Sequence, residues 1–185
     1  MVNDAWQICM KAVYLVDNPE VAKVLVDPMR RAILELLRIE PLTQAKLSGE
    51  LGLSSPSLSY HMKALKSARL VVVAKREKES HGIMQKFFLP VAYLFVYDLD
   101  RLPKDIGRYF YPVSLERTRG MVSALIRRSS KPVIEPTPEA INRLSEKISE
   151  SLVAIAKKYR SVEVEPGSEE IIYKIYADAI EMALK

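Results

Sequence analysis

The sequence predicts a mainly α-helical fold with one small β-hairpin, and three observations carry that prediction. Apolar residues recur at steps of three and four over most of the chain. Cap residues and prolines cut that pattern into short helices between residues 18 and 68. From Leu70 to Leu89 the helical period gives way to two β-prone runs on either side of a glycine-containing turn.

The elements follow in order. Near the start, "KAVYLVDNP" mixes β-branched and aromatic residues and predicts a short strand or an apolar arm. Asn18 followed by Pro19 reads as a cap with proline at the first helical position, opening a helix through Val26, and Asp27-Pro28 repeats the signal. The second helix carries Ile33, Leu34, Leu36 and Leu37 and runs to about Arg38. Thr43 caps a short helix that buries Ala45, Leu47 and Leu51, and Gly52 ends it. Ser54 or Ser55 caps the next, with Pro56 in its first turn favouring Ser55. Two short helices joined by "GLSS" are a helix-turn-helix pattern. The hairpin comes directly after it, as "LVVVAKRE" and "IMQKFFL" around "KESHG".

Beyond Pro90 the pattern predicts helices again: about 103–110, about 112–128, one opened by Thr137-Pro138 with Ile141, Leu144, Ile148, Leu152 and Ile155 in a stripe, and a last one from Ser168. Three units result: an N-terminal strand or arm (1–18), a helix-turn-helix with its hairpin (19–90), and a helical region (91–185).

Composition excludes several classes. With 49% hydrophobic and 28% charged residues the chain is of the globular kind, and no apolar run approaches the roughly 20 residues of a membrane span. A single cysteine, Cys9, allows no internal disulfide and is expected to behave as a small hydrophobe; with no export signal at the N-terminus, a cytoplasmic location is expected. Three Asn and three Gln among many Glu, Lys, Ile and Val are the bias of heat-loving organisms. The net charge of +5 is concentrated: residues 28–90 hold 11 Lys and Arg against 5 Asp and Glu, a net of +6.

That basic segment contains "LSSPSLSYHMKALKSARLV", residues 53–71. On a helical wheel of about 100° per residue, Leu58, Met62 and Leu65 share one side. Pro56, Tyr60, Lys63 and Ser67 point the other way, with Ser57 and Ser59 on the flanks. Small hydroxyl residues let a helix approach a groove closely and meet phosphates or base edges. A solvated helix has no need of them.

The motifs "DPMRRAILELL", "LSGELGLS" and "LSYHMKALKSARLV", with the hairpin after them, resemble the winged helix-turn-helix of ArsR-like transcriptional regulators, particularly archaeal ones. The resemblance covers roughly residues 19–90. It implies a winged helix-turn-helix DNA-binding domain followed by a C-terminal helical dimerisation region, in a homodimeric regulator of double-stranded DNA with repression as the expected sign of control. It also implies a reading helix at about 55–68 in the major groove and a wing at about 70–89 on backbone or minor groove. Carried over residue by residue, Ser55, Ser57, Ser59, Tyr60 and His61 are the implied contacts of the reading helix. Lys63 and Lys66 lie nearer phosphates, and Lys75, Arg76, Lys78 and Lys86 belong to the wing or its stem. His61, about 60° from the apolar centre, is equally well read as packing at the core's edge.

The departure from the family is also plain. "PLTQAKLSGE" has no thiol, and His61 and His81 are the only histidines, so neither metal sensing nor a cofactor is expected. His81 sits in the turn and is expected to be solvated. No phosphate-binding glycine loop or nucleophile motif is present, so an enzyme is not expected. The alternative is a winged helix used for protein interaction in a transcription or other complex, motivated by the long apolar-striped tail. The aromatic residues Tyr93, Phe95, Tyr97, Tyr109, Phe110 and Tyr111 are expected in core and dimer packing. The residues do not specify whether an effector binds.

Overall fold

A computed structural model describes residues 9–78, 84–128 and 135–185. The hairpin turn with His81 lies outside the described residues. The elements run β1 (Met10–Val16), α1 (Pro19–Val26), α2 (Pro28–Ile39), α3 (Gln44–Leu51), α4 (Ser55–Ser67), β2 (Val71–Lys78), β3 (Met84–Pro90), β4 (Ala92–Tyr97), α5 (Lys104–Gly107), α6 (Tyr111–Arg128), α7 (Pro138–Lys158), β5 (Glu163–Val164) and α8 (Glu169–Leu184). None of the described helices is long and apolar enough to cross a membrane.

The winged helix-turn-helix is built by local rules. Asn18 accepts from the Glu20 N–H and opens α1, and Asp27 accepts from the Met29 and Arg30 N–H groups at 2.8 and 3.3 Å and opens α2. Both helices begin with the proline that fits a first turn. Thr43 caps α3, and Gly52 ends it with φ 62°, a left-handed conformation that costs glycine nothing. The cap of α4 is Ser54 rather than Ser55: its side chain accepts from the Ser57 N–H, and Ser55 is the first helical residue. Proline is tolerated throughout the first helical turn, so its position did not separate two adjacent serines. Ile33, Leu37, Leu47, Leu58, Met62, Leu65 and Leu70 close one core among these helices.

In the wing, β2 and β3 pair antiparallel, with a bulge between Val73 and Lys75. Leu42, just before α3, exchanges two backbone hydrogen bonds with Phe88 of β3. The hairpin stem is thereby fastened to the helices.

Beyond Pro90 the first element is a strand, where the sequence pattern suggested a helical region throughout. β4 pairs parallel with β1, from Lys11 opposite Ala92 to Val16 opposite Tyr97, and the short β5 pairs antiparallel on the other edge of β1. Parallel strands are covered on both faces and read as continuous apolar runs, as "AYLFVY" does. Tyr14, Val16, Phe95 and Tyr97 pack toward the winged helix, whereas Val13, Leu15, Leu94 and Val96 pack with Ile155 and Ala156 of α7 and Ile175 and Ala179 of α8. The segment expected as a strand or an arm is thus the middle strand of the tail's sheet. The described tail is helical apart from these strands, and α6 joins α7 through Ser114, whose hydroxyl lies 3.0 and 2.9 Å from those of Ser145 and Ser149.

Of the aromatic group, Tyr93 and Phe110 are buried and Tyr97 stacks on Phe110 at 3.9 Å, while Tyr109 and Tyr111 are exposed. Cys9 is exposed too, outside the core that its apolar character suggested.

Candidate nucleic-acid interface

Helix α4 divides into two unlike faces. Leu58, Met62 and Leu65 are at most 1% exposed and lock the helix into the core. Ser55, Ser59, Tyr60, Lys63 and Lys66 are exposed, and Ser57 is half-buried. Tyr60 stands out at 64% exposure, a large aromatic ring that meets the His61 ring edge-on at 5.4 Å and still presents most of its surface outward. Ser59 lies 3.5 Å from Gln44 at the start of α3, which adds an amide to this polar surface.

His61 is elsewhere. Its side chain is 14% exposed, and its Nδ1 lies 3.3 Å from Asp27 Oδ2. The approach is close without being a well-aligned hydrogen bond. Asp27 also caps α2 and sits 3.5 Å from Arg30 Nε, so a single carboxylate gathers the α1–α2 joint and the middle of α4. Arg30 completes the group, its guanidinium 5.8 Å from the Tyr60 ring centre. His61 thus sits at the edge of the core, partly exposed beside Asp27.

The basic residues divide likewise. Lys66 lies 4.5 Å over the Phe88 ring, and burial, with Lys86 beside it, holds its ammonium below the usual lysine range. Lys75 lies 5.0 Å over Phe87 and pairs with Glu77, so it is held along the hairpin. Arg76, Lys78 and Lys86 are exposed, and Arg76 sits directly opposite Lys86 across the strands. Like charges in that position repel. An anion between them removes the penalty.

One residue escaped the sequence reading. Arg69, just after α4, has φ 56°, a conformation that favours glycine and disfavours any residue with a Cβ. Its N–H bonds the Lys66 carbonyl, and the Leu70 N–H bonds the Leu65 carbonyl, which ends the helix. Its side chain is exposed between α4 and the wing. The signal lay in "SARLV", where an arginine occupies the place of a terminating glycine.

Comparison with known proteins converges on the same segment. A family model described as a helix-turn-helix domain matches residues 25–74. The HTH-type transcriptional regulator Rv2034 of Mycobacterium tuberculosis is 47% identical over 49 residues, 26% of this chain and 46% of that protein. The transcriptional repressor SdpR of Bacillus subtilis is 37% identical over 51 residues, 28% of this chain and 57% of that protein. The chain thus spans about half the length of these relatives. Among solved structures, the homodimeric winged helix-turn-helix DNA-binding domain (fragment 1–100) of Mb0332 from Mycobacterium bovis aligns with a TM-score of 0.33 and 21% identity, over 53% of this chain and 75% of that one. With its hairpin in place behind the matched helices, this chain carries a helix-turn-helix domain followed by a β-hairpin wing.

Proposed function

We propose that the chain is a dimeric, sequence-specific transcriptional regulator of double-stranded DNA, with α4 seated in the major groove, the wing on backbone or minor groove, and repression as its action. The observation that carries this reading is the two-faced α4: its inner residues are fully committed to the core, and its outer face offers serine hydroxyls and an exposed Tyr60. The exposed Arg76 and Lys86 pair, Lys78 and Arg69 extend a cationic surface from the end of that helix. Two relatives over this segment bear the names of a transcriptional regulator and a transcriptional repressor, which supports the same reading. Dimerisation belongs to the tail. Its α7 and α8 cover the sheet, and Val113, Ile126, Met182 and Leu184 remain 37–44% exposed on α6 and α8. A chain that stays monomeric at micromolar concentration in sedimentation would remove this part of the proposal.

Selection of bound sequences from a random duplex library, run at two salt concentrations, is the test. An inverted repeat with half-sites about 34–36 Å apart is expected. Enrichment of nothing, with a protein partner co-purifying instead, would favour the interaction module.

Variants then separate the roles. Tyr60→Ala or Ser57→Ala is expected to relax base preference by about 1–3 kcal/mol at one position. Lys78→Ala should reduce the slope of log affinity against log salt by about 0.9. Arg69→Gly should reduce that slope equally while leaving the melting temperature level or higher, since glycine relieves the left-handed backbone. A fall in stability with no change in slope would make Arg69 a purely structural cap.

A further inference from the structure

A cavity of about 750 Å³ lies between the winged helix and the tail. Small-molecule sites fall in the range of roughly 300–1,000 Å³. Strand β4 contributes a continuous run of its lining, Tyr93 to Tyr97, and α1, α2, α6, α7 and α8 supply most of the remaining walls with Leu99 and Phe110. Most of the surface is aliphatic or aromatic, with Leu94, Val96, Leu152 and Ile172 among the lining residues.

The polar groups gather around Tyr97. Arg31 of α2 and Arg117 of α6 both act on its phenol, and Arg117 donates a 2.6 Å hydrogen bond to the hydroxyl of Tyr176 on α8. Burial pushes the Tyr97 phenol up to about 12 against the opposing pull of the two arginines, so it stays a neutral donor. The cavity's carboxylates are paired with other arginines, and Glu35 also acts on the Tyr97 and Tyr176 phenols. Glu35 and Glu169 lie 2.8 and 3.5 Å from Arg38, and Glu116 pairs with Arg119. Among the ion pairs of the described residues, Arg31 and Arg117 have no carboxylate; Arg31 donates only to the Leu25 and Val26 carbonyls, at 2.7 and 2.8 Å. Two guanidiniums and two phenols at one end of an apolar chamber ask for a negative charge on an apolar body.

We propose that this cavity binds a small amphipathic organic anion, its carboxylate, sulfonate or phosphate held between Arg31 and Arg117 and its apolar part laid along β4 between α7 and α8. Binding itself is independent of the DNA reading; only a regulatory consequence rests on it. The route for such a consequence is short. Arg31 holds the last carbonyls of α1, next to Asp27, which meets His61 of the reading helix.

The probe is 8-anilinonaphthalene-1-sulfonate, titrated by fluorescence into the full chain, with uncharged N-phenyl-1-naphthylamine as its counterpart. Saturable binding of one sulfonate probe per chain is expected, tighter than that of the neutral dye. Arg117→Gln should weaken the sulfonate about tenfold and leave the neutral dye within twofold. Arg117 is exposed, so the variant should keep the native melting temperature. Gly120→Phe fills the chamber from α6, where an added Cβ meets nothing within 4 Å. It should weaken both dyes at least tenfold. Equal affinity for the two dyes, or an unchanged sulfonate affinity in Arg117→Gln, overturns the proposal. So does dye release on concentrating the protein into dimers, which would make a second copy the occupant. Because the titration contains no DNA, failure of the duplex selection leaves its outcome intact, and the reverse also holds.

Discussion

Replacing Leu65 by alanine is expected to lower the stability of the chain by about 2–5 kcal/mol, the usual cost of a large-to-small change at a fully buried site. Leu65 is 0% exposed and belongs to the same core as Met62, Leu37 and Leu70. The lost methyl groups leave a void that helices anchored at both ends cannot collapse into. At roughly 2–4 °C per kcal/mol for a chain of this size, the melting temperature should fall by about 4–20 °C. Lys63→Ala, two residues away on the exposed face, should stay within about 0.5 kcal/mol. If the two variants melted alike, α4 would not be a helix with one face spent on the core and the other free for a partner.

The second large effect falls on Asp27. Asp27→Ala removes the acceptor for the Met29 and Arg30 N–H groups and takes the carboxylate away from Arg30 and His61 at once. A lost cap costs about 0.5–2 kcal/mol and a stranded, partly buried polar group about 1–3 kcal/mol. A total of about 2–3 kcal/mol is expected from urea unfolding, read as a lower midpoint at unchanged slope. Asp27→Asn, which keeps a capping oxygen and loses the charge, should retain about half of that stability. Equal losses in the two variants would mean that the charge, not the cap, is what Asp27 supplies.

Much of the winged helix was legible because its information is local. A cap, a proline and a terminating glycine lie within a few residues of the helix they delimit, and the wheel that set Leu58, Met62 and Leu65 inward needs only one segment. Two adjacent serines defeated that reading at the start of α4, since either is chemically able to cap. β4 was not legible because a short unbroken apolar run such as "AYLFVY" has no period to tell strand from helix. Its pairing with β1 depends on residues some eighty positions away. The exposed side of the candidate interface followed from the same wheel, whereas the turning of His61 toward Asp27 did not, because it depends on how α4 crosses α2. Lys66 and Lys75 look like free cations in a string of letters, and only the hairpin's placement brings Phe88 and Phe87 beneath them. The chamber around Tyr97 draws on six elements from both halves of the chain, and no single stretch encodes it.

The parallel pairing of β1 with β4 has a mechanical side. Residues 17–91 form the crossover between two neighbouring strands, leaving beside Tyr97 and returning beside Lys11. At about 3.3 Å per residue those points of attachment lie roughly 17 Å apart, at opposite ends of the pair. A module tied at one point swivels on its tether. Clamped at both ends of a stiff bar, it resists torque and turns only as the bar turns. In the proposed dimer the angle between two reading helices is then set by the orientation of two such bars, and a substitution in the tail can change the half-site spacing without touching the helix that reads it.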